Sequence, residues 1–402
     1  MAGFAPRLLS VPTPELAVRE LQRIAVDGCG IAEMVPKMRT FCVGLQQLEC
    51  RQANILKQEM LSLGGDAAVA RGTVACSIDR TGCILIGTAK QLTRLCQKLE
   101  IQPFGLAALA GELKNLLTRV ARVPPAWKTS RRSLSLQRPL IMGILNLTPD
   151  SFSDGGRNLD HLQAFDRALQ MEAEGADIID IGGESTRPGA PLVTAKEELA
   201  RIIQVIERLS TVLKCAISVD TWKCAVAEQA LAAGAEIIND ISGCNFDPEM
   251  AGLAGASGAG IVLMHTRGTP DKMQQNTVYG DLMLEITSSL RASIEQARKA
   301  GVSDGCIALD PGIGFGKDVA GNLELLRRLS ELSCFGLPIL TGTSRKAFIG
   351  KTLNRPLTDD RLYGTAATVA LAVSHGASIL RVHDVRAMRD VADMAHAIML
   401  SS

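Results

Sequence analysis

The feature that most constrains this chain is a repeating beat that begins near residue 138. Short apolar runs alternate there with longer stretches of helical periodicity, the signature of parallel strands joined by helical crossovers. The runs are Leu140–Leu145, Asp177–Ile181, Ala216–Val219, Glu236–Asn239, Gly260–Met264, Cys306–Leu309, Pro338–Leu340 and Ser378–Val382. Helical spacing fills the intervals at Leu162–Glu174, Ala195–Leu213, Ala225–Ala233, Asp281–Lys299, Asn322–Leu329 and Gly364–Ser374, and Val385–Leu400 closes the last unit. Eight such units predict an α/β fold of the (β/α)8 TIM-barrel type over 138–402. A doubly wound sheet would carry a nucleotide fingerprint after its first strand, and none stands there. The run Gly312-Ile313-Gly314-Phe315-Gly316-Lys317 lacks the spacing and the following Ser or Thr of a phosphate loop.

The beat leaves a leader unexplained. In a chain of 402 residues, helical spacing at Glu15–Ile24, Gln47–Leu63, Lys90–Leu99 and Leu106–Leu117 mixes with apolar runs at Thr73–Cys76 and Cys83–Gly87, set around an Asp79-Arg80-Thr81-Gly82 turn. Residues 1–122 therefore predict a smaller α+β domain. Residues 123–137, opened by Pro124-Pro125 and carrying Lys128-Thr129-Ser130-Arg131-Arg132, read as a linker. Deletion of residues 1–135 is accordingly expected to leave barrel chemistry largely intact. Charge divides along the same line: residues 1–137 hold 18 Lys and Arg against 10 Asp and Glu, and the remainder is net acidic. The basic residues of the leader are dispersed among apolar ones, which points to docking or a solvated face and to no nucleic-acid partner. The leader contains no histidine and no repeated acidic or glycine signature, so a regulatory or oligomerising role is expected.

No apolar run has the length of a membrane span and the first residues lack a signal core, so no membrane association and a cytoplasmic location are expected. The 11 cysteines form no Cys-x-x-Cys pair, which argues for reduced thiols over a disulfide framework or a zinc site.

Chemistry in a barrel of this kind gathers at the carboxyl ends of the strands. Those ends are strongly polar here. The first is followed by Asn146 and by Thr148-Pro149-Asp150-Ser151-Phe152-Ser153-Asp154-Gly155-Gly156, and the second by Glu184-Ser185-Thr186-Arg187-Pro188-Gly189. The others give Asp220, then Asn239 and Asp240, His265, Asp310, Ser344-Arg345-Lys346, and finally Arg381 and His383. One such residue suits a helix cap, but caps need not place opposite charges around a single mouth. Asp220, Asn239 and Asp310 offer the acceptors that a heterocycle with several N–H groups requires. Arg381, His383 and the basic run at 344–346 suit phosphate or pyrophosphate, and Asn146 and Asp154 supply hard oxygens for Mg²⁺.

These stretches, in this order, resemble dihydropteroate synthase. The resemblance rests on Gly143-Ile144-Leu145-Asn146-Leu147-Thr148-Pro149-Asp150-Ser151-Phe152-Ser153-Asp154-Gly155-Gly156 and Gly182-Gly183-Glu184-Ser185-Thr186-Arg187-Pro188-Gly189, with Ser218-Val219-Asp220-Thr221, Ile238-Asn239-Asp240, Asp310 to Lys317, Ser344-Arg345-Lys346 and Arg381-Val382-His383-Asp384. It implies condensation of 6-hydroxymethyl-7,8-dihydropterin pyrophosphate with 4-aminobenzoate, giving 7,8-dihydropteroate and pyrophosphate in folate biosynthesis, and a target of sulfonamides. It also implies roles. The pterin falls to Asp220, Asn239, Asp310, Phe315 and Lys346; 4-aminobenzoate to Thr186, Arg187, Pro188 and Ser344; pyrophosphate to Asn146, Arg381 and His383; Mg²⁺ to Asn146; and catalysis to Asp154, Lys346 and Arg381. A homodimer is implied as well. Ile313 stands where the family often has Phe, and the leader matches neither the aldolase nor the pyrophosphokinase domains that sometimes accompany this synthase. A non-catalytic pterin-binding paralogue would be expected to lose loop or anion residues, and a corrinoid-linked methyltransferase would not need the pyrophosphate set.

Overall fold

The computed structural model describes residues 5–120, 124–148, 157–185 and 192–401. The chain divides into two compact units, Met1–Arg122 and Val123–Ser401.

In the first unit, helices α1 (Pro14–Arg23) and α2 (Gly28–Met34) precede strand β1 (Thr40–Glu49), helix α3 (Cys50–Ser62), strands β2 (Asp66–Val69) and β3 (Arg80–Thr88), and helices α4 (Ala89–Leu99) and α5 (Leu106–Val120). The strands form an antiparallel sheet in the order β1-β3-β2. Leu56 and Met60 of α3, Leu85 of β3, Leu92, Leu95 and Leu99 of α4 and Leu106 of α5 share one buried core. Three expectations need correction. Gln47–Glu49 belongs to β1, where a bulge between Leu45 and Leu48 puts Gln47 at φ +59°, and α3 starts only at Cys50. Thr73–Cys76 is no strand: Arg71–Thr73 forms one 3-10 turn and Cys76 takes a left-handed φ of +48°. Asp79–Gly82 is no turn, because Arg80 and Thr81 already pair with Glu49 and Leu48. The strand that sequence reading missed, β2, is Asp-Ala-Ala-Val, too poor in branched residues to announce itself.

The second unit is the barrel. Its strands are β6 (Leu140–Asn146), β7 (Ile178–Gly182), β8 (Ala216–Asp220), β9 (Ile237–Asp240), β10 (Gly260–Met264), β11 (Ile307–Asp310), β12 (Leu340–Thr341) and β13 (Ile379–Val382). They are hydrogen-bonded in the order β11-β10-β9-β8-β7-β6-β13-β12, all parallel. A parallel bridge from Leu309 to Ile339 closes the ring. Helices α6 (Arg157–Ala173), α7 (Ala195–Ser210), α8 (Cys224–Ala233), α9 (Met250–Ser257), α10 (Leu282–Lys299), α11 (Val319–Arg327), α12 (Ala347–Leu353), α13 (Leu362–Ser374) and α14 (Val385–Leu400) connect and surround them. Strand side chains alternate between two cores. Ile179, Ile181, Val219, Ile238, Leu263 and Leu380 face outward into the layer shared with the helices.

Inward-facing Leu140, Met142, Ile178, Ala216, Ile237, Val262, Ala308, Leu340 and Ile379, supplied by all eight strands, fill the base of the barrel. Trp127 and Leu136 complete that layer. Both lie in the stretch expected to be a linker. Residues 126–135 instead form a two-stranded antiparallel hairpin, β4 (Ala126–Lys128) and β5 (Ser133–Ser135). Trp127 is fully buried and its indole Nε1–H donates to the Cys306 carbonyl at 2.8 Å. The basic cluster is also committed: Thr129 Oγ1 donates to buried Glu236 at 2.5 Å, and Arg132 Nε meets the same carboxylate at 2.9 Å. A wide cleft beside this hairpin, lined by Leu134, Gln137, Arg138, Glu172, Asp177 and Lys214, is remote from the carboxyl ends of the strands. Arg138 pairs with Asp177 there at 2.8 Å, and Glu172 accepts from the Lys214 and Cys215 amides.

Candidate active site

At the opposite end the inward positions turn polar. One cavity is lined by Ile144, Asp220, Asn239, Ile241, Met264, Asp310, Phe315, Gly342, Ser344, Lys346, Arg381 and His383. It thus gathers every expected pterin residue, together with Ser344, Arg381 and His383. Asn146 ends β6 nearby; its Oδ1 and Asp220 Oδ2 would each lie 3.6 Å from a Cβ placed on Gly182. Asp154, Thr186, Arg187 and Pro188 lie outside the described residues.

Each side chain is placed by the strand that carries it. Asp220 and Asp310 end β8 and β11 on the inward face, with little exposure. Asp310 Oδ1 accepts from the Gly312 amide at 2.7 Å, and that tight turn needs glycine: φ at Gly312 is +70°, and a Cβ would sit 1.9 Å from the His265 carbonyl oxygen. Lys317, at the far end of the same glycine-rich run, is buried and donates inward to the Gly312 and Phe315 carbonyls at 2.9 and 3.0 Å, with His265 Nδ1 at 3.1 Å. It therefore staples the loop that presents Phe315. Lys346 spans that ring, its Nζ 4.0 Å from the Phe315 centroid. Ser344 Oγ lies 3.0 Å from His383 Nδ1 and accepts from the His383 amide at 3.1 Å.

Arg381 carries the densest contacts. Its Nε donates to Asp180 Oδ2 and its Nη2 to Asp220 Oδ2, both at 2.6 Å. Asn239 Nδ2 donates to the same Asp180 oxygen at 3.1 Å. Asp180 is absent from the site residues expected from sequence because it stands inside β7, ahead of the polar residues that follow the strand. Its one signal is phase: Ile178, Asp180 and Gly182 alternate on the inward face, so an acid at 180 must enter the barrel. Arg345, by contrast, leaves the basic run expected to hold an anion. It forks onto Asp384 at 3.0 and 2.6 Å and reaches Asp359 at 3.0 Å, from a backbone at φ +58°.

A second buried cluster forms around Glu184, just after β7. Glu184 Oε1 accepts from the Val193 amide at 2.8 Å, while Oε2 accepts from Trp222 Nε1 at 3.1 Å and Lys223 Nζ at 2.9 Å. Lys223 also reaches Glu198, fully buried, at 2.5 Å.

Burial shapes the titration of the mouth. It lifts Asp220 from 3.8 to about 7 in spite of Arg381, and it raises Asp310 against the Gly312 amide and the nearby lysines. It lowers Lys346 to about 8 and Lys317 to about 7. Burial also opposes the charge of Arg381, but Asp180 and Asp220 win and hold it protonated. Asp180, Asp220 and Asp310 thus share the mouth with Lys317, Lys346 and Arg381, three acids with three bases.

A barrel with this mouth belongs to the class of pterin-binding enzymes: a family model described as "Pterin binding enzyme" matches residues 142–383. The dihydropteroate synthase of Synechocystis is 50% identical over 262 residues, covering 65% of this chain and 91% of that protein. A crystal structure of dihydropteroate synthase from Clostridium difficile in the presence of pteroic acid is 47% identical, with a TM-score of 0.63 over 66% of this chain and 98% of that one. A probable bifunctional folylpolyglutamate synthase/dihydropteroate synthase of Halobacterium salinarum is 43% identical over 339 residues, which are 84% of this chain and 40% of that protein. That match is too long for Val123–Ser401 and reaches into the N-terminal unit. The chain belongs to the dihydropteroate synthase family.

Proposed function

We propose that the barrel joins 6-hydroxymethyl-7,8-dihydropterin pyrophosphate to 4-aminobenzoate, as a dihydropteroate synthase, with the cavity above Asp180 as its active site. The observation that carries this reading is the convergence of buried acceptors and paired cations on one cavity of a barrel matched at this identity. Asp220, Asn239 and Asp310 take the N–H groups of the pterin, and Phe315 with Lys346 forms a wall of its slot. Arg381 and His383 take the pyrophosphate, and Ser344 serves the 4-aminobenzoate subsite, to which the family resemblance also assigns Thr186, Arg187 and Pro188.

The amine nitrogen attacks the exocyclic methylene carbon, a carbon–nitrogen bond forms as the carbon–oxygen bond breaks, and pyrophosphate leaves with the electron pair. The secondary ammonium so formed then loses a proton to give the neutral amine. Positive charge on the pterin during departure is met by Asp310, whose pKa burial raises while the Gly312 amide and the neighbouring cations work against that rise. Negative charge on the leaving group is met by Arg381, which is preorganised because two carboxylates fix its guanidinium before substrate arrives. An aromatic amine is neutral at pH 7, so no strong base is needed to start the attack. Asp154 is assigned to the reacting methylene.

The donor set at the mouth fits Mg²⁺: Asn146 Oδ1 is a neutral hard oxygen that, like Asp220 Oδ2, would lie 3.6 Å from a Cβ on Gly182, and this metal needs few protein ligands when phosphate oxygens and water complete its shell. Asn146 would hold it, and the ion would supply neutralisation of pyrophosphate charge. Asn146→Ala that kept full activity with Mg²⁺ present would remove that assignment.

A homodimer is proposed on the exposed apolar side chains of the packed pair α13 and α14, namely Tyr363, Leu371, Met394 and Ile398. A cytoplasmic location is proposed on the 11 free thiols, which suit a reducing compartment. None of the described helices is long and apolar enough to cross a membrane.

The reaction is tested by release of pyrophosphate from dihydropterin pyrophosphate and Mg²⁺, with and without 4-aminobenzoate. Amine-dependent release with dihydropteroate as product is expected. Tight pterin binding without product would favour a binding protein instead.

A further inference from the structure

Asp180 is fully buried beneath the cavity and is not one of its lining residues. Its Oδ2 serves two donors from two strands, Arg381 Nε on β13 and Asn239 Nδ2 on β9, while its Oδ1 is buried with no hydrogen-bond partner among the described residues. A carboxyl group left half-satisfied inside a barrel is costly, so its presence calls for a return elsewhere. The geometry supplies one. Asn239 must turn its NH₂ toward an acceptor-only carboxylate, which leaves its carbonyl oxygen as the group offered to the cavity. Arg381 must commit its Nε inward, which with the Nη2 bond to Asp220 fixes the plane of its guanidinium and leaves Nη1 and the second N–H of Nη2 for an anion.

We propose that Asp180 is the positioning residue of this site: one oxygen sets the acceptor polarity of the pterin-reading Asn239 and, through Arg381, the plane of the pyrophosphate clamp. The two halves of one substrate are thereby held in register by a group that touches neither. The inference rests on the assignment of Arg381 and Asn239 to those two halves.

The test uses the full chain carrying Asp180→Ala or Asp180→Asn, with three ligand constants measured on folded protein: inhibition by inorganic pyrophosphate, affinity for a pterin without pyrophosphate, and KM for 4-aminobenzoate. Loss of a charge-assisted hydrogen bond predicts that Asp180→Ala weakens the first two by roughly ten- to a hundredfold each. Asp180→Asn, whose amide oxygen still accepts, recovers part of both, and the 4-aminobenzoate KM stays put. A fall in melting temperature with all three constants unchanged would make Asp180 structural only and overturn the proposal. So would tighter pyrophosphate binding, which is the outcome if Asp180 merely dampens the charge of Arg381. Should the variants not fold, a crystal structure of the wild-type chain with pterin and pyrophosphate decides: the Arg381–Asp180 contact is expected to persist, and its rupture on binding would overturn the role. Arg381→Lys is measured alongside. If it leaves pyrophosphate inhibition unchanged, the site assignment itself fails, whereas an effect of Arg381→Lys without one of Asp180→Ala removes only the positioning role.

Discussion

The two ends of the barrel are built from the same eight strands and differ in almost every physical respect. At the base, inward positions are aliphatic and Trp127 closes the layer with its single polar atom satisfied by the Cys306 carbonyl. At the mouth, two residues further along, five of the eight strands turn polar with Asp180, Ser218, Asn239, Asp310 and Arg381, while Ile144, Met264 and Gly342 hold the other three positions; burial shifts Asp220 and Asp310 upward, and Asp180 Oδ1 and Ser218 Oγ have no hydrogen-bond partner among the described residues. The base gains from burial, whereas the mouth accepts desolvation in exchange for groups already aimed at a ligand. One sheet register, two residues deep, separates stability from chemistry.

That contrast breaks if variants at the two ends behave alike. Asp310→Asn at the mouth is expected to lower kcat/KM by roughly a hundred- to a thousandfold, the range for losing preorganised charge stabilisation, with little change in melting temperature because an isosteric amide removes a buried charge. Trp127→Ala at the base is expected to do the reverse. It should destabilise the barrel by about 3–5 kcal/mol in urea unfolding and leave kcat per folded molecule near wild type.

Titration sharpens the comparison. Asp220 binds its proton more tightly in the folded state, about 7 against 3.8, so its contribution to stability is fully present below about 4 and is lost as pH rises through 7. Unfolding free energies measured from pH 4.5 to 7.5 should therefore fall less steeply with pH in Asp220→Asn than in the wild-type chain. Trp127→Ala should retain the wild-type slope. The smallest effect is expected at Ser218, whose hydroxyl is buried without a partner among the described residues: Ser218→Ala should be neutral or stabilising by up to ~1 kcal/mol.

What the sequence made legible follows the same physics. The strands of the barrel announce themselves because each is buried on both faces and reads as a short apolar run, and the site residues at their ends stand out as polar punctuation. The residues that were missed lack that contrast. Asp180 lies inside such a run, and only the alternation of Ile178, Asp180 and Gly182 betrays it. Helix α9, Met-Ala-Gly-Leu-Ala-Gly-Ala-Ser, has no polar face to mark its period. The hairpin at 126–135 was hidden by Pro124-Pro125 and by basic residues that look solvated, although Glu236, a distant acid, takes both Thr129 and Arg132. In the N-terminal unit, β1 ends in Gln-Gln-Leu-Glu, whose helical look is overruled by the bulge and by pairing to β3.

The hairpin also revises where the catalytic unit begins, and the most direct measurement follows from it. Dihydropteroate formation per mole of folded protein should be compared for the full chain, a chain beginning at Val123 and one beginning at Leu136. The account predicts that the chain from Val123 works within about threefold of the full chain, while the chain from Leu136, lacking the Trp127 floor, loses roughly the stability of an excised core aromatic. A chain from Val123 that is folded and as stable as the intact barrel, yet makes no dihydropteroate, would contradict it.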